Sequence, residues 1–205
     1  CSAMSHHSSG RSDPAKDLAP HGLEANAIKT VATDLMQEAS QSLLQLSGAN
    51  GYRLDHIAGR STVDSRPFEI FEGSNDILYV QVAESILKKM KSAKESNLYR
   101  FLAGLELTAR PVERLKSLLD VEPGLQLAQR RLVDLGRVIS RIISMRFVHD
   151  LGDDGFRADL VENSLTMLHR DIAGLMGAFA VTAPATVIEG YQEGGSWFDL
   201  NGETG

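Results

Sequence analysis

The chain has 205 residues, of which 42% are hydrophobic and 23% are charged, as in ordinary globular proteins that bury a core. Its net charge of −6 argues against nucleic-acid binding, because such binding depends on cationic side chains that neutralise phosphates. One cysteine, Cys1, allows no internal disulfide, and no apolar run reaches the roughly 18 residues of a membrane span, so we expect no membrane partner.

The first residues show no regular pattern. We interpret 5–11 as a tag or linker remnant, or as a polar loop without function. The adjacent His6 and His7 point to different sides of a helix or a strand, so they do not predict a metal site. Nothing near Cys1 supplies a fixed base, which argues against an N-terminal nucleophile.

Apolar residues at helical spacing predict a long amphipathic helix over 16–46, which ends where Gly48 can adopt a left-handed cap. The inward positions are Leu23, Ile28, Val31, Leu35, Ala39, Leu43 and Leu46. A loop of about twenty residues is expected next, through Gly51, Gly59 and Pro67. Loops of that length are uncommon in compact domains and are often functional.

Five further helices are expected, and the first four are as follows. Ser74 is the predicted N-cap of the first, with inward positions Ile77, Val80, Ile86, Leu87 and Met90. A short helix over 98–105 follows, and Pro111 is placed to open another that contains Leu115, Leu118 and Leu119. A long helix is then expected to end near His149, with Leu132, Leu135, Ile139 and Ile142 facing inward.

The opposite face of that long helix carries Arg130, Asp134, Arg137 and Arg141. Asp134 lies at pairing distance from Arg130 and Arg137, which favours a salt-bridged face toward solvent or a subunit over a membrane-binding face. The last helix is expected over 154–179, where Gly174 and Gly177 cost stability unless another helix packs closely there. An irregular tail completes the expected organisation, with segments 1–94, 95–180 and 181–205.

The most informative segment is 68–77, because it places Glu72 between Phe71 and Gly73 at the expected start of a helix. The residues that follow, Ser74, Asn75 and Asp76, are of the types that cap helices. Taken alone, an acid in this position is more often a favourable charge at a helix N-terminus than a functional group. A second group of residues upstream of this segment favours a functional role for Glu72.

That block reads Gln45, Leu46, Ser47, Gly48, Ala49, Asn50, Gly51 and Tyr52, and Tyr52 lies 20 positions before Glu72. With Asp64 between the two blocks, the first 90 or so residues resemble the C-terminal part of the acyl-CoA dehydrogenase family. Its motif runs Gln, two small or apolar residues, Gly-Gly, then Gly-aromatic, Arg-Asp, and aromatic-Glu-Gly-Thr or Ser.

The chain departs from this pattern at two positions. Ala49 replaces the second glycine, and Val63 stands where an arginine is expected before Asp64; Arg60 and Arg66 flank that place and are candidates to share its charge. The family's N-terminal helical domain and middle β-domain have no counterpart in these 205 residues. We therefore expect activity only in a longer form and expect this segment alone to be inactive.

The resemblance implies an all-α fold, namely a dehydrogenase-like C-terminal helical bundle with additional C-terminal helices, as in very-long-chain members. It also implies that Glu72 takes the α-proton of an acyl-CoA while FAD accepts the β-hydride, giving a trans-2-enoyl-CoA. The backbone N–H of Glu72 would stabilise the thioester oxygen, and Gly73 would leave room for the substrate. An apolar surrounding favours such a base, and Phe71 and Ile70 are candidates for it.

The same resemblance implies cofactor contacts and partners. Ser74, Asn75 and Asp76 would lie near FAD, whereas Gln45, Gly48 and Ala49 would reach the FAD pyrophosphate of a neighbouring subunit. The implied partners are an acyl-CoA, an electron-transfer acceptor protein and a second copy in a homodimer. No metal is implied, and a bacterial cytoplasm or a mitochondrial matrix is the expected compartment.

Two alternatives remain open from the sequence. One is an acyl-CoA oxidase, although Ser74 favours the dehydrogenase because the oxidases tend to have aspartate at that place. The other is a non-catalytic helical module that uses this scaffold for protein interaction, which the lost arginine at Val63 and the absence of the flavin domains favour.

Overall fold

The structure is a computed structural model that describes residues 1–11 and 21–181, and it is helical without any strand in those ranges. The predicted all-α class is confirmed. The helices are α1 (Ser2–Arg11), α2 (Gly22–Ser47), α3 (Ile57–Ser65), α4 (Asn75–Ala93), α5 (Leu98–Ala103), α6 (Ala109–Val112), α7 (Lys116–Leu119), α8 (Gln129–Asp153) and α9 (Ala158–Ala180). Short 3-10 turns occupy Gly48–Tyr52, Arg66–Glu69 and Glu113–Leu115.

Helices α2, α4 and α8 pack against one another at the centre of the fold. Helices α1 and α9 cover α8, and α3 lies against α2. Buried side chains from all these central helices form one hydrophobic cluster, which includes Val31, Ile86, Ile139 and Ile172. The core thus continues across residue 94, so the C-terminal helices are part of the packing that holds α2 and α4; a domain boundary there stays a prediction.

The interpretation of 5–11 as a loop or linker is wrong, because these residues belong to α1. Ala3 and Met4 are buried, and the ring of His7 lies against the ring of Phe147 with centroids 4.0 Å apart. His6 Nε2 lies 2.7 Å from Asp154 Oδ2. Long-range contacts with α8 therefore stabilise a helix whose own sequence is too polar to predict one.

The expected twenty-residue loop after α2 is also wrong, since it contains α3 and two 3-10 turns. His56 begins α3 by accepting the backbone N–H of Ala58 on its ring Nδ1 at 3.2 Å. Ala58 and Gly59 are then buried. Helix α3 is too short to display the repeated apolar spacing on which the sequence argument relied. The apolar residues around Phe68 form a turn rather than an extended run.

Helix α4 begins after Ser74 as predicted, and Ile86, Leu87 and Met90 are buried as expected, but the start of the helix buries other residues than expected. Ile77 is 54% exposed, whereas Tyr79 and Val82 are buried. Because α2 and α8 contact α4 from two directions, its buried surface is wider than one apolar stripe. The helix expected after Pro111 is likewise broken, by a 3-10 turn between α6 and α7.

The predicted pairing on α8 is wrong. Arg137 lies 3.2 Å from Asp76 on α4, and Arg141 lies 3.8 Å from Asp34 on α2 and 3.5 Å from Asp171 on α9. In the described part of the chain, Asp134 forms an ion pair with neither Arg130 nor Arg137, the two partners that were predicted. Arg137 and Arg141 therefore connect α8 to α2, α4 and α9, whereas Arg130 on the same face is exposed.

Helix α9 begins at Ala158, four residues later than expected. No atom outside the helix lies within 4 Å of a methyl group built at Gly174 or Gly177, so no described helix packs closely there. Residues 182–205, which include most of the expected tail, lie outside the described residues. Among the described helices, none combines the length and the apolar character needed to span a bilayer.

Candidate functional site

Glu72 lies in the short connection between the Arg66–Glu69 turn and α4. Its side chain is exposed, and within the described ranges its carboxylate makes no hydrogen bond or ion pair. Its φ is 59°, a left-handed conformation that costs a non-glycine residue about 1 kcal/mol or more, and Gly73 follows with φ of 102°. The surrounding structure therefore holds a side chain in an unfavourable backbone geometry while leaving its carboxylate accessible.

A lysine on α2 holds the segment after Glu72. Lys29 Nζ donates to the carbonyl oxygen of Gly73 at 2.9 Å and to Asn75 Oδ1 at 2.7 Å. Burial lowers the pKa of Lys29, and the carboxylates of Asp34, Glu72 and Glu69 oppose that shift. The ammonium group is thus placed between α2 and the site segment, with the Glu72 carboxylate in its electrostatic surroundings.

The side chain of Asn75 faces into the fold. Its amide nitrogen donates to Asp34 Oδ1 at 2.6 Å and to Thr33 Oγ1 at 2.9 Å, and the residue is only 7% exposed. Its amide oxygen accepts from Lys29. Both ends of the amide are therefore used to fix the start of α4 on α2, whatever Asn75 contributes to a cofactor.

Asp34 is the centre of this network. Its second carboxylate oxygen accepts the hydroxyl of Tyr79 at 2.6 Å and lies 3.8 Å from Arg141 Nη2. Burial raises the pKa of Tyr79 far above its ordinary value, and the neighbouring Asp34 adds to the shift, so the phenol remains a hydrogen-bond donor. Through Asp34, residues of α2, α4 and α8 are joined beneath the Glu72 segment.

The two other residues expected at the start of α4, Ser74 and Asp76, differ in whether their side chains have a partner. Ser74 is the N-cap by backbone conformation, with φ of −62° and ψ of 148°, but its hydroxyl makes no capping hydrogen bond. Asp76 is exposed and pairs with Arg137. The hydroxyl of Ser74 is thus not used to close the helix, whereas the carboxylate of Asp76 already has a cationic partner.

The expected apolar wall around Glu72 is absent from the described part of the structure. Phe71 is 65% exposed and Ile70 is 54% exposed. Both line an open groove between α2 and α3, together with Gln37, Gln41, Thr62, Val63, Arg66 and Pro67. The 3-10 turn directs these apolar side chains toward α3, so they form a surface beside Glu72 instead of enclosing it.

Gln45, Gly48 and Ala49 are exposed at the far end of α2. The backbone N–H of Gly48 donates to the carbonyl of Gln45, and Gly48 has the positive φ of 55° that favours glycine, but its ψ of −133° differs from the left-handed helical cap that was predicted. Gln45 follows Lys29 by 16 residues, so it lies about 24 Å along α2 from the Glu72 segment. The structure therefore does not bring the two sequence blocks together within one chain.

The two arginines that flank Val63, the position where an arginine was expected, each lie near a carboxylate. Val63 is 59% exposed in the groove. Arg60 lies 3.9 Å from Asp64, and Arg66 lies 2.6 Å from Glu69. Each of these two arginines thus has a nearby carboxylate on its own segment.

Sequence reasoning missed Lys29 and Asp34, which hold the site segment most directly. A signal was present, because Asn26, Lys29, Thr33 and Gln37 recur at helical spacing and mark a polar stripe on α2. The polar stripe was not recognised because only the apolar residues of this helix were used to predict its packing. Among the described residues, no cluster of three or more His, Cys, Asp or Glu side chains is arranged to hold a metal ion.

Comparison with known proteins identifies a family to which part of the chain is similar. Residues 4–87 match the family model described as acyl-CoA dehydrogenase, C-terminal domain, which is less than half of the chain. No curated protein and no solved structure matches the chain significantly. The match begins within α1 and ends within α4, and it includes both sequence blocks and the Glu72 segment. Residues 4–87 are therefore similar to the acyl-CoA dehydrogenase C-terminal domain family.

Proposed function

We propose that this chain is the C-terminal portion of an FAD-dependent acyl-CoA dehydrogenase in which Glu72 is the catalytic base. The observation that carries the proposal is the geometry of Glu72. Its carboxylate is accessible and unpaired among the described residues, while its backbone has a left-handed φ of 59°. A residue kept only for a favourable charge at a helix N-terminus does not require such a conformation.

The proposed reaction removes two hydrogens from neighbouring carbons of an acyl-CoA. The Glu72 carboxylate takes the α-proton and becomes a carboxylic acid. FAD, when bound, supplies the acceptor for the hydride that leaves the β-carbon, and the product is a trans-2-enoyl-CoA. The backbone N–H of Glu72 is proposed to stabilise the negative charge that develops on the thioester oxygen, and Gly73 to leave space for the substrate.

The residues proposed to contact FAD suit a dinucleotide. Gln45 offers a side-chain amide, and the turn at Gly48 and Ala49 offers exposed backbone near a positive φ, which suits a pyrophosphate. The methyl group of Ala49 lies on the surface and leaves this backbone accessible. At the start of α4, the hydroxyl of Ser74 makes no capping hydrogen bond, so Ser74 is the best placed of the three residues to contact FAD. Asn75 and Asp76 are proposed to act indirectly, by fixing the start of α4.

The separation of the two blocks supports a homodimer. About 24 Å along α2 separates Gln45 from the Glu72 segment, so one chain would contact FAD in its own site and FAD in the site of its partner. The proposed partners are an acyl-CoA, a second copy of the chain and an electron-transfer acceptor protein. The exposed apolar groove beside Phe71 offers a surface on which the acyl-binding part of the intact protein can pack.

The decisive experiment is spectroscopic and uses the intact natural protein. We expect the purified protein to show flavin absorbance, and we expect a saturated acyl-CoA from a butyryl-CoA to palmitoyl-CoA panel to bleach it under anaerobic conditions. A colourless protein that binds no added FAD would refute the enzyme and support the interaction module. Stoichiometric hydrogen peroxide during turnover in air would instead identify an acyl-CoA oxidase.

A further inference from the structure

The Glu72 segment has no regular hydrogen-bonded structure of its own, so other elements must fix it. Between the Arg66–Glu69 turn and α4, the backbone passes through two consecutive residues with positive φ, Glu72 and Gly73. The carbonyl of Gly73 accepts its hydrogen bond from Lys29. Without a fixed carbonyl at Gly73, the direction of the Glu72 side chain is free to change by rotation about the intervening backbone bonds.

Resting on the proposed function, we propose that Lys29 is the positioning residue for Glu72: it clamps the 72–75 segment to α2 by bonding the carbonyl of Gly73 and the side chain of Asn75 together. One ammonium group makes both bonds, at 2.9 Å and 2.7 Å. The first bond lies one residue after Glu72 and the second lies three residues after it. Lys29 thus joins the left-handed turn to the first residue of α4.

The lysine is itself held in place from the opposite side. The amide nitrogen of Asn75 donates to Asp34 and to Thr33, one turn further along α2. Asn75 therefore has its amide oxygen directed at Lys29 and cannot rotate without breaking its hydrogen bonds to Lys29, Thr33 and Asp34. This arrangement makes the clamp stiffer than a single surface lysine, whose side chain pays a large entropy cost when it is fixed.

The charge of Lys29 serves the same purpose. Asp34, Glu69 and Glu72 all contribute to its electrostatic surroundings. A cation near these three carboxylates offsets part of their mutual repulsion. A neutral side chain of equal length removes both hydrogen bonds and this charge, whereas arginine keeps the charge and can donate two hydrogen bonds.

The test compares Lys29→Met and Lys29→Arg with a control, Lys89→Met, in the intact protein. Lys89 is exposed on α4, so its change reports only the loss of one surface charge. We expect Lys29→Met to lower kcat for the best acyl-CoA of the panel at least tenfold, with KM within threefold and FAD content unchanged. We expect Lys29→Arg to restore at least a third of the wild-type kcat. Lys89→Met should match the wild type.

A second readout does not depend on activity. Backbone amide exchange, followed by mass spectrometry, should speed up at least tenfold over residues 70–76 in Lys29→Met, and not in Lys89→Met. Unchanged exchange in this segment overturns the proposal, as does a kcat of Lys29→Met within twofold of the wild type. A loss of kcat that accompanies equal losses of FAD and of thermal stability also overturns it. If the wild-type protein has no flavin or turnover, the proposed function fails, and exchange alone decides whether Lys29 clamps the segment.

Discussion

Gly136 of α8 lies directly against the backbone of Tyr79 on α4. A methyl group at Gly136 would overlap the carbonyl oxygen of Tyr79 and crowd its carbonyl carbon, which lies 2.6 Å from the built position. Glycine at this position allows the two helices to approach until their backbones touch. This contact places the C-terminal helices next to the part of α4 that carries Tyr79 and, through Asp34, the site segment.

The contact predicts opposite effects for two glycine substitutions. Gly136→Ala should destabilise the protein by about 1–3 kcal/mol, because the new methyl group meets backbone that cannot move without separating α4 from α8. Gly174→Ala, in the open face of α9, should stabilise it by up to about 1 kcal/mol, since alanine is the better helix former. Urea unfolding measures both. Equal effects of the two substitutions would contradict the close approach.

Replacement of the proposed base gives a second prediction. Glu72→Gln in the intact protein should lower turnover by roughly 10²- to 10⁴-fold, since glutamine has the shape of the acid but cannot accept the α-proton. FAD content and thermal stability should not change, because the side chain is exposed and contributes no hydrogen bond within the described ranges. Steady-state rates and flavin absorbance check this. Turnover within a few-fold of wild type would show that another residue is the base.

The position of Arg141 gives a third prediction. Its side chain is 13% exposed and lies between Asp34 and Asp171. Arg141→Met should lower the free energy of unfolding by about 1–3 kcal/mol, because it leaves both carboxylates without this cation. Arg60→Met is the matched control, since Arg60 is 67% exposed beside Asp64 and such pairs contribute less than about 1 kcal/mol. The prediction fails if chemical denaturation gives the same change for both variants.

His149 gives a pH dependence. Burial lowers the pKa of His149, and the cationic Arg110 and Arg114 lower it further, while Asp153 and Asp150 act in the opposite direction. Below the ordinary value of 6.5, the unfolded chain therefore binds a proton at this residue that the folded chain does not bind. The free energy of unfolding should fall from this cause as the pH falls through that value toward the lowered pKa.

The measurement compares wild type with His149→Gln across pH about 5.5 to 7.5, a range chosen around the histidine pKa. The difference in unfolding free energy between wild type and variant should become more favourable to wild type as the pH rises. A difference that is flat over this range, or of opposite slope, would show that His149 is not held in its neutral form.

On α2, Leu43 and Leu46 were expected to face inward but are 39% and 87% exposed, and Ala39 is exposed as well. The extents of long segments with regular apolar spacing were nevertheless predicted to within a few residues, as α8 and α9 demonstrate. Short ones were not, because α3 and α6 have too few turns to show a period and depend on contacts with other helices. The wider buried surface of α4 was missed for a related reason. A helix that contacts two neighbours buries more than one stripe, and the sequence does not state from which directions those neighbours approach.

In the candidate site as well, local features were predicted from the sequence and long-range contacts were not. Glu72 and the turn at Gly48 were found because their residue types and spacing carry the information. The roles of Lys29 and Asp34 were not found, since a lysine and an aspartate on a helix are ordinary surface residues until a distant segment meets them. Gly174 and Gly177 suggested a close approach of another helix that the structure does not show at either residue. The close approach of two helices occurs at Gly136.

By itself, the sequence determined the all-α class, the turn at Gly48, the start of α4 after Ser74 and the acid that precedes it. These are local properties, since they depend on neighbouring residue types, backbone preferences and helical period. Only the tertiary structure decided which residues are buried at the start of α4, which carboxylates α8 meets and which lysine fixes the Glu72 segment. The reason is physical: such contacts join residues more than forty positions apart, and their geometry exists only after α2, α4 and α8 have packed into one core.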